Sequence, residues 1–159
     1  MSGCGGVSAE ASQVHKCMSD QNILRGCDDV LPPQVIRGFL EFNRGEFFEQ
    51  HETLEHAWMA ERRPVREMYQ GILQLGLMCH HIRAGRYRSA LKMWGRSARH
   101  LANVPDVCQG VHVEKLRLAG ERLYAHLVKL GPGRIGEFDF TLFPKVEWAA
   151  DGFQPDLPF

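Results

Sequence analysis

The sequence predicts an all-α protein, a compact bundle of about five helices with an extended C-terminal tail packed on it. Apolar side chains recur every three or four residues between residues 33 and 130, the period of a helix with one buried face. Glycine or proline interrupts this pattern at residues 45, 64, 85 and 131. No hairpin turn signals a strand pair. At 159 residues, the chain has the size of one domain.

The chain divides into three parts by composition. Residues 1–30 are small and polar, which predicts a flexible N-terminal extension. Residues 31–150 carry the helical pattern and form the single domain, and residues 151–159 are a short tail.

Two helices open the domain. Pro32 and Pro33 start the first helix, because proline is tolerated in a first turn. Its apolar face ends at Asn43-Arg44-Gly45, where glycine breaks the helix. The second helix is expected from near Glu46 to about Glu61.

A long third helix is expected from Val65 to Ala84, with Pro64 near its first position. Between Ile72 and Cys79 it is apolar or small on nearly all sides, which is typical of a central helix. Gly85 should end it in the left-handed conformation that glycine adopts most easily.

The last two helices are expected from Arg86 to about Leu101 and from about Val111 to Leu130. The outer face of the fourth is basic, which favours a solvated face, with a phosphate-binding surface as the alternative. Gly131 to Gly133 stop the fifth helix. The tail beyond is too apolar to be free in water, so we expect it to pack along the bundle in an extended form.

The composition limits the function classes. Lys plus Arg number 19 and Asp plus Glu number 19, so the formal net charge is zero and a general nucleic-acid binder is not expected. No apolar run is long enough to span a membrane, and the N-terminus does not have the pattern of a signal peptide. The five cysteines are odd in number and lack a Cys-x-x-Cys motif, which predicts reduced thiols in a cytoplasmic protein.

Two helices place polar side chains where a bundle should be apolar. His51 shares a helical face with aromatic residues, and Glu55 lies one turn further on, beside Trp58. The third helix carries Gln70 and Gln74 on one face, which continues to His81. Antiparallel helices joined by a short turn pack against each other, so the two polar stripes can face one another.

Three chemistries fit these stripes. His51, Glu55 and His81, with Glu52 as a further candidate, could bind a divalent metal ion. A metal-bound water would then be the nucleophile of a hydrolysis, with Glu52 or Glu55 as the general base. Alternatively, Glu55 and a histidine could perform acid–base catalysis without a metal. The third possibility is a buried hydrogen-bond network that fixes the register of the helices.

Residues 42–55 with Trp58, the second block at residues 70–75 and 81–85, and the Ala90-Leu91 pair resemble the domain of unknown function 309 family. The resemblance covers roughly residues 31–130. It implies a compact all-helical domain, sometimes labelled a predicted metal-dependent hydrolase. The family pattern points to residues that coincide with the two stripes: His51, Glu52, Glu55, Trp58, Gln70, Gln74 and His81.

The expected function is therefore that of a metal-dependent hydrolase acting on an unknown small molecule. The alternative is a non-catalytic helical module that binds a small ligand or a protein partner. In both readings no membrane partner is expected, and assembly into a homo-oligomer is left open.

Overall fold

The computed structural model of the chain describes residues 24–149. Most of the predicted extension (residues 1–23) and the tail at residues 151–159 lie outside this range. The all-α class is confirmed, and residues 24–149 contain five α-helices and one hairpin of two short strands. In chain order the elements are α1 (Pro33–Asn43), α2 (Phe47–Ala60), α3 (Arg66–Arg83), α4 (Tyr87–Leu101), β1 (Val107–Cys108), β2 (Val111–His112) and α5 (Val113–Leu130), followed by 3-10 helices at Pro132–Glu137 and Phe140–Leu142.

Two glycines end α1 and α3 in the same way. Gly45 has φ +78° and Gly85 has φ +76°, a region that is costly for residues with a Cβ. After each glycine, the next amide donates to a carbonyl five residues back: Glu46 to Glu41 at 2.9 Å and Arg86 to His81 at 2.8 Å. This arrangement satisfies carbonyls that a helix end leaves without partners. The predicted left-handed end at Gly85 is confirmed.

Helix α3 lies at the centre of the bundle, packed between α2 and α4. Its residues between Met68 and Cys79 are buried except for Gln70 and Leu77, which are partly exposed. Glycine allows its neighbours to approach: a Cβ on Gly71 would lie 2.4 Å from Leu101 Cδ2. The Ser97 hydroxyl of α4 donates to the Gly71 carbonyl at 2.7 Å. The sequence prediction of a central third helix is confirmed.

The hairpin before α5 was not expected from the sequence. Val107 pairs with His112 and Cys108 with Val111, in antiparallel register. Both turn residues have positive φ, +50° at Gln109 and +77° at Gly110, as a two-residue hairpin turn requires. The expectation of no strand pair was wrong because Gln-Gly is not a usual signature of such a turn.

The apolar segment at residues 131–149, after α5, packs on the bundle as predicted, although part of it forms the two 3-10 helices. The side chain of Asn43, at the end of α1, both donates a hydrogen bond to this segment and accepts one from it. Its Nδ2 donates to the Val146 carbonyl at 2.9 Å, and its Oδ1 accepts from the Val146 amide at 2.7 Å. Trp148 then forms a β-bridge with Val111 and packs against Phe39 with ring centroids 5.9 Å apart.

The prediction of reduced thiols was wrong for two of the cysteines. Cys27 and Cys108, 81 residues apart in sequence, form a disulfide. Their proximity depends on the tertiary fold, which brings the segment before α1 against β1. Residues 24–30, at the end of the predicted flexible extension, therefore pack on the domain. Cys79 is a free, buried thiol, and its burial raises its pKa well above the usual range.

Within residues 24–149, no helix is both long and apolar enough to cross a membrane.

Candidate functional site

A groove of about 490 Å³ runs between α2, α3 and α4. Six of the residues singled out from the sequence line it: His51, Glu55, Trp58, Gln70, Gln74 and His81. The two polar stripes therefore do face each other across the α2–α3 pair. The groove is open to solvent rather than sealed inside the bundle, because the side chains of His51 and Glu55 are 35% and 48% exposed.

The antiparallel course of α2 and α3 gives the groove two different ends. Gln50 of α2 donates to the Leu73 carbonyl of α3 at 3.2 Å, which fixes the register. The guanidinium carbon of Arg66 lies 4.2 Å from the centre of the Trp58 ring. One end, which we call the imidazole end, is therefore formed by Phe48, His51, His80 and His81. The other, the amide end, is formed by Glu55, Trp58, Gln70 and Gln74.

His51 and Glu55 form the link between the two ends. Their Nε2 and Oε2 atoms are 3.3 Å apart, one helical turn along α2. An ion pair of this kind on an open helix surface contributes little to stability. The pair matters for chemistry, because it places an imidazole and a carboxylate side by side at the wall of the groove.

His80 and His81 lie side by side at the imidazole end, with ring centroids 5.6 Å apart. The Nδ1 atom of each is buried, and neither finds a hydrogen-bond partner among the described residues. Desolvation lowers the pKa of both imidazoles, and the nearby positive charge of Arg86 lowers them further. The pKa of His80 is also lowered by Arg83 and raised by Glu49. Both rings are therefore neutral at neutral pH.

Gln74 lies at the floor of the amide end. The residue is 7% exposed, and within the described chain its Oε1 atom has no hydrogen-bond partner. A buried carbonyl without a partner costs about 1–3 kcal/mol. The terminal torsion of glutamine is broad and two-fold, so a half-turn exchanges its oxygen and nitrogen. Gln74 can therefore offer either a donor or an acceptor at the floor of the groove.

A comparison with protein families points to the same helices. Residues 35–93 match the family model described as domain of unknown function, DUF309. The resemblance found in the sequence is confirmed there. Every residue named above as lining the groove falls within this DUF309 region.

A curated relative comes from Aquifex aeolicus (strain VF5) and is described as an uncharacterized protein. It is 25% identical to this chain over 77 residues, which are 48% of this chain and 23% of the relative. The match thus spans less than a quarter of that relative's length. No solved structure matches the chain.

The structure places three residues differently from the sequence prediction. Glu52, a candidate general base, is exposed and does not line the groove. Adjacent residues of a helix point about 100° apart, which predicts that His80 lies on a different face from His81, yet both line the groove. The signal was present, because Leu73, Leu77 and His80 are themselves one helical stripe. Arg96 belongs to the basic face of α4 that was expected to be solvated, and it lines the groove.

The residues of this DUF309 region do not fit a metal ion held by three protein ligands. Residues 24–149 contain no group of three His, Cys, Asp or Glu side chains that could hold one. Of the predicted ligands His51, Glu55 and His81, the structure pairs only His51 with Glu55. Catalytic zinc sites use three protein ligands. We therefore derive no catalytic step through a metal ion.

Proposed function

We propose that this domain binds a small organic acid with an apolar body in the groove between α2, α3 and α4. The observation that carries this proposal is the pair of neutral imidazoles, His80 and His81, at one end of an apolar groove. Each has a buried ring nitrogen without a described partner, and Arg86 is close enough to lower the pKa of both.

An anion suits the imidazole end because of the charges around it. The positive charges of Arg83 and Arg86 disfavour a proton on His80, and Glu49 favours it. A bound carboxylate would add a negative charge beside both rings and raise their pKa, since an opposite charge nearby favours the charged form. Each imidazolium would then donate a charge-assisted hydrogen bond, which is stronger than a bond between neutral groups.

The rest of the groove suits an apolar body. Its walls include aromatic and aliphatic side chains: Phe48, Trp58, Leu73, Leu77 and Met93. Its volume of about 490 Å³ is within the usual range for small-molecule sites. At the far end, the Gln74 amide can hydrogen-bond a second polar group. The combination of an anionic head, an apolar body and a polar far end describes an amphipathic carboxylic acid.

Calorimetric titration with 3-phenylpropionate, against its neutral amide 3-phenylpropionamide, tests the proposal. We expect the acid to bind at least ten-fold more tightly than the amide. The double variant His80→Gln/His81→Gln should lose this preference. Glu52→Gln, which changes an exposed carboxylate outside the groove, should keep it.

Binding of the acid should also strengthen as the pH falls towards the histidine range near 6.5, because the bound anion promotes protonation of the imidazoles. Equal affinity for acid and amide would refute acid recognition while leaving a groove that binds small molecules. Absence of binding by both compounds would refute the groove as a site for molecules of this size.

Metal-dependent hydrolysis stays a prediction, favoured by the adjacent imidazole and carboxylate of His51 and Glu55. A metal ion that binds only the folded protein raises the melting temperature. Zinc should then raise it for the unmodified protein and for His56→Ala, whose imidazole is exposed. His51→Ala should abolish the rise. A melting temperature that does not respond to zinc, manganese or iron would remove the metal from consideration.

A further inference from the structure

We propose that the Cys27–Cys108 disulfide is a redox-controlled latch for residues 24–31, which we call the strap. The strap crosses from the hairpin to the start of α1, and its attachment forms one wall of a second cavity. Both cysteines lie outside residues 35–93, so the match to DUF309 assigns them no role. The proposed latch is therefore a feature separate from the groove between α2, α3 and α4.

Apart from the disulfide, a small set of polar contacts holds the strap. The Gln109 amide donates to the Cys27 carbonyl at 2.7 Å, and the Gln109 side chain donates to the Gly26 carbonyl at 3.0 Å. The Val65 amide donates to the Arg25 carbonyl at 3.2 Å. Tyr69 of α3 donates to the Gln109 side chain at 2.9 Å and so fixes the hairpin to the core.

The strap also makes apolar and ionic contacts: Leu24, Cys27 and Leu31 are partly buried against the core. Asp29 forms an ion pair with Arg63, but these side chains are 55% and 43% exposed, so water screens the pair. Gly26 packs closely on Val65, where a Cβ would lie 2.6 Å from Val65 Cγ1. A partly exposed segment at the edge of a core opens locally at lower cost than the core itself. The covalent bond is the restraint on the strap that a reductant can remove while it leaves the other contacts unchanged.

The two cysteine residues differ in exposure. Cys108 is 1% exposed, whereas Cys27 is partly exposed. A dithiol reductant would therefore attack the Cys27 sulfur as a thiolate. The S–S bond breaks, and Cys108 leaves as a thiolate and takes up a proton. The second thiol of the reductant then resolves the mixed disulfide, which releases the Cys27 thiol and leaves the reductant oxidised by two electrons.

Opening of the strap would remove one wall of a cavity of about 410 Å³. Asp28 to Leu31 line this cavity on the strap side, and Gln109, Gly110 and Trp148 line it on the opposite side. The N-terminal segment, the hairpin and the C-terminal tail therefore meet at one place. The redox state of a single bond would decide whether they stay together.

Trypsin offers a direct readout, because Arg25 is an exposed residue of the strap. In the latched state its carbonyl accepts the Val65 amide hydrogen bond, which opposes the extended conformation that a protease needs. We expect dithiothreitol to speed cleavage after Arg25 at least ten-fold in the full-length chain. Cleavage after the exposed Arg44, in the turn between α1 and α2, should change by less than three-fold and serves as the internal control.

Cys108→Ser should reproduce the fast cleavage without reductant, and Cys17→Ser, which keeps both latch cysteines, should behave as the unmodified chain. Equal cleavage after Arg25 in oxidised and reduced protein would overturn the proposal. A parallel increase after Arg25 and Arg44 would also overturn it, because the bond would then be a staple of the whole fold.

A second measurement tests the switching itself. The protein is equilibrated in glutathione buffers from oxidising to reducing, the thiols are alkylated, and the fraction of Cys27 linked to Cys108 is measured by mass spectrometry. The linked fraction should pass from nearly complete to nearly absent across the series. A bond that stays intact in every buffer, or never forms in any, would contradict a latch.

Discussion

The close contact between α2 and α3 at Gly76 gives the sharpest prediction about stability. A Cβ at position 76 would lie 2.4 Å from Gln50 Nε2 and 2.7 Å from Gln50 Cδ. Gln50 is fully buried, with 0% exposure, so its side chain has no free space into which to move. Its Nε2 also donates to the Leu73 carbonyl at 3.2 Å, and that bond would be strained or broken.

The expected cost of Gly76→Ala combines three effects. Overpacking a buried contact costs about 1–3 kcal/mol, and loss of the Gln50 hydrogen bond costs about 1 kcal/mol. The higher helix propensity of alanine returns about 1 kcal/mol. The net expectation is a loss of about 1–3 kcal/mol, which for a chain of this size lowers the melting temperature by roughly 2–12 °C.

Urea unfolding followed by circular dichroism measures the effect, with Gly95→Ala as a matched control. Gly95 is an exposed position in the interior of α4, and a Cβ there would have no described atom within 4 Å. Gly95→Ala should stabilise the protein by about 0.5–1 kcal/mol. Gly76→Ala should also lower the free energy of unfolding by less in a Gln50→Ala background, because the Gln50 side chain that the new methyl group would crowd is absent. Equal effects of the two glycine substitutions, or additivity with Gln50→Ala, would show that the helices do not meet as described.

Three further predictions concern the His80–His81 pair, Tyr69 and Trp58. Burial holds the pKa of His80 and His81 below its usual value, so protonation favours the unfolded chain. Stability should be full above about pH 6.5 and fall as the pH drops from there through the lowered pKa values. His80→Gln/His81→Gln should therefore lose less stability than the unmodified protein between about pH 7 and about pH 5, and an equal loss in urea titrations would contradict this. Tyr69→Phe removes the hydrogen bond to Gln109 at 2.9 Å and should cost about 1–2 kcal/mol, whereas an unchanged urea midpoint would show that the bond contributes nothing. Trp58→Ala, at a partly exposed ring packed against the core, should cost about 2–3 kcal/mol in the same assay rather than the larger amount expected for a core tryptophan.

Local chemistry explains why the helices could be predicted. Gly45 and Gly85 end helices because the left-handed conformation there costs glycine little, and this preference belongs to the residue itself. The apolar period of α3 likewise predicts burial without knowledge of its neighbours. These features need only a few consecutive residues.

The hairpin and the disulfide depend on partners far away in the sequence. Gln109 adopts φ +50° in a position where its amide and side chain bond the strap and Tyr69. No pattern in the neighbouring residues predicts that conformation. Cys27 and Cys108 are 81 residues apart, and cysteine spacing alone does not establish a pairing.

The candidate site was predictable as two stripes but not as a groove. Helical spacing placed His51, Glu55, Gln74 and His81 on facing sides, because spacing fixes a face. It does not fix the width of the opening between helices. The structure shows that both His80 and His81 line the opening and that Glu52 does not.

The groove and the hairpin that carries the latch both contact α3. This allows a prediction of whether opening of the latch changes binding in the groove. Tyr69 contacts the hairpin, and Gln70, the next residue of α3, lines the groove. Helix α3 is held by close packing on both sides, however, against Gln50 of α2 and Leu101 of α4. Packed interiors resist displacement, so release of the strap should leave α3 in place. We expect the affinity for 3-phenylpropionate to differ by less than three-fold between oxidised and reduced protein, measured by the same calorimetric titration. A loss of ten-fold or more on reduction would show that the latch acts on the groove through α3.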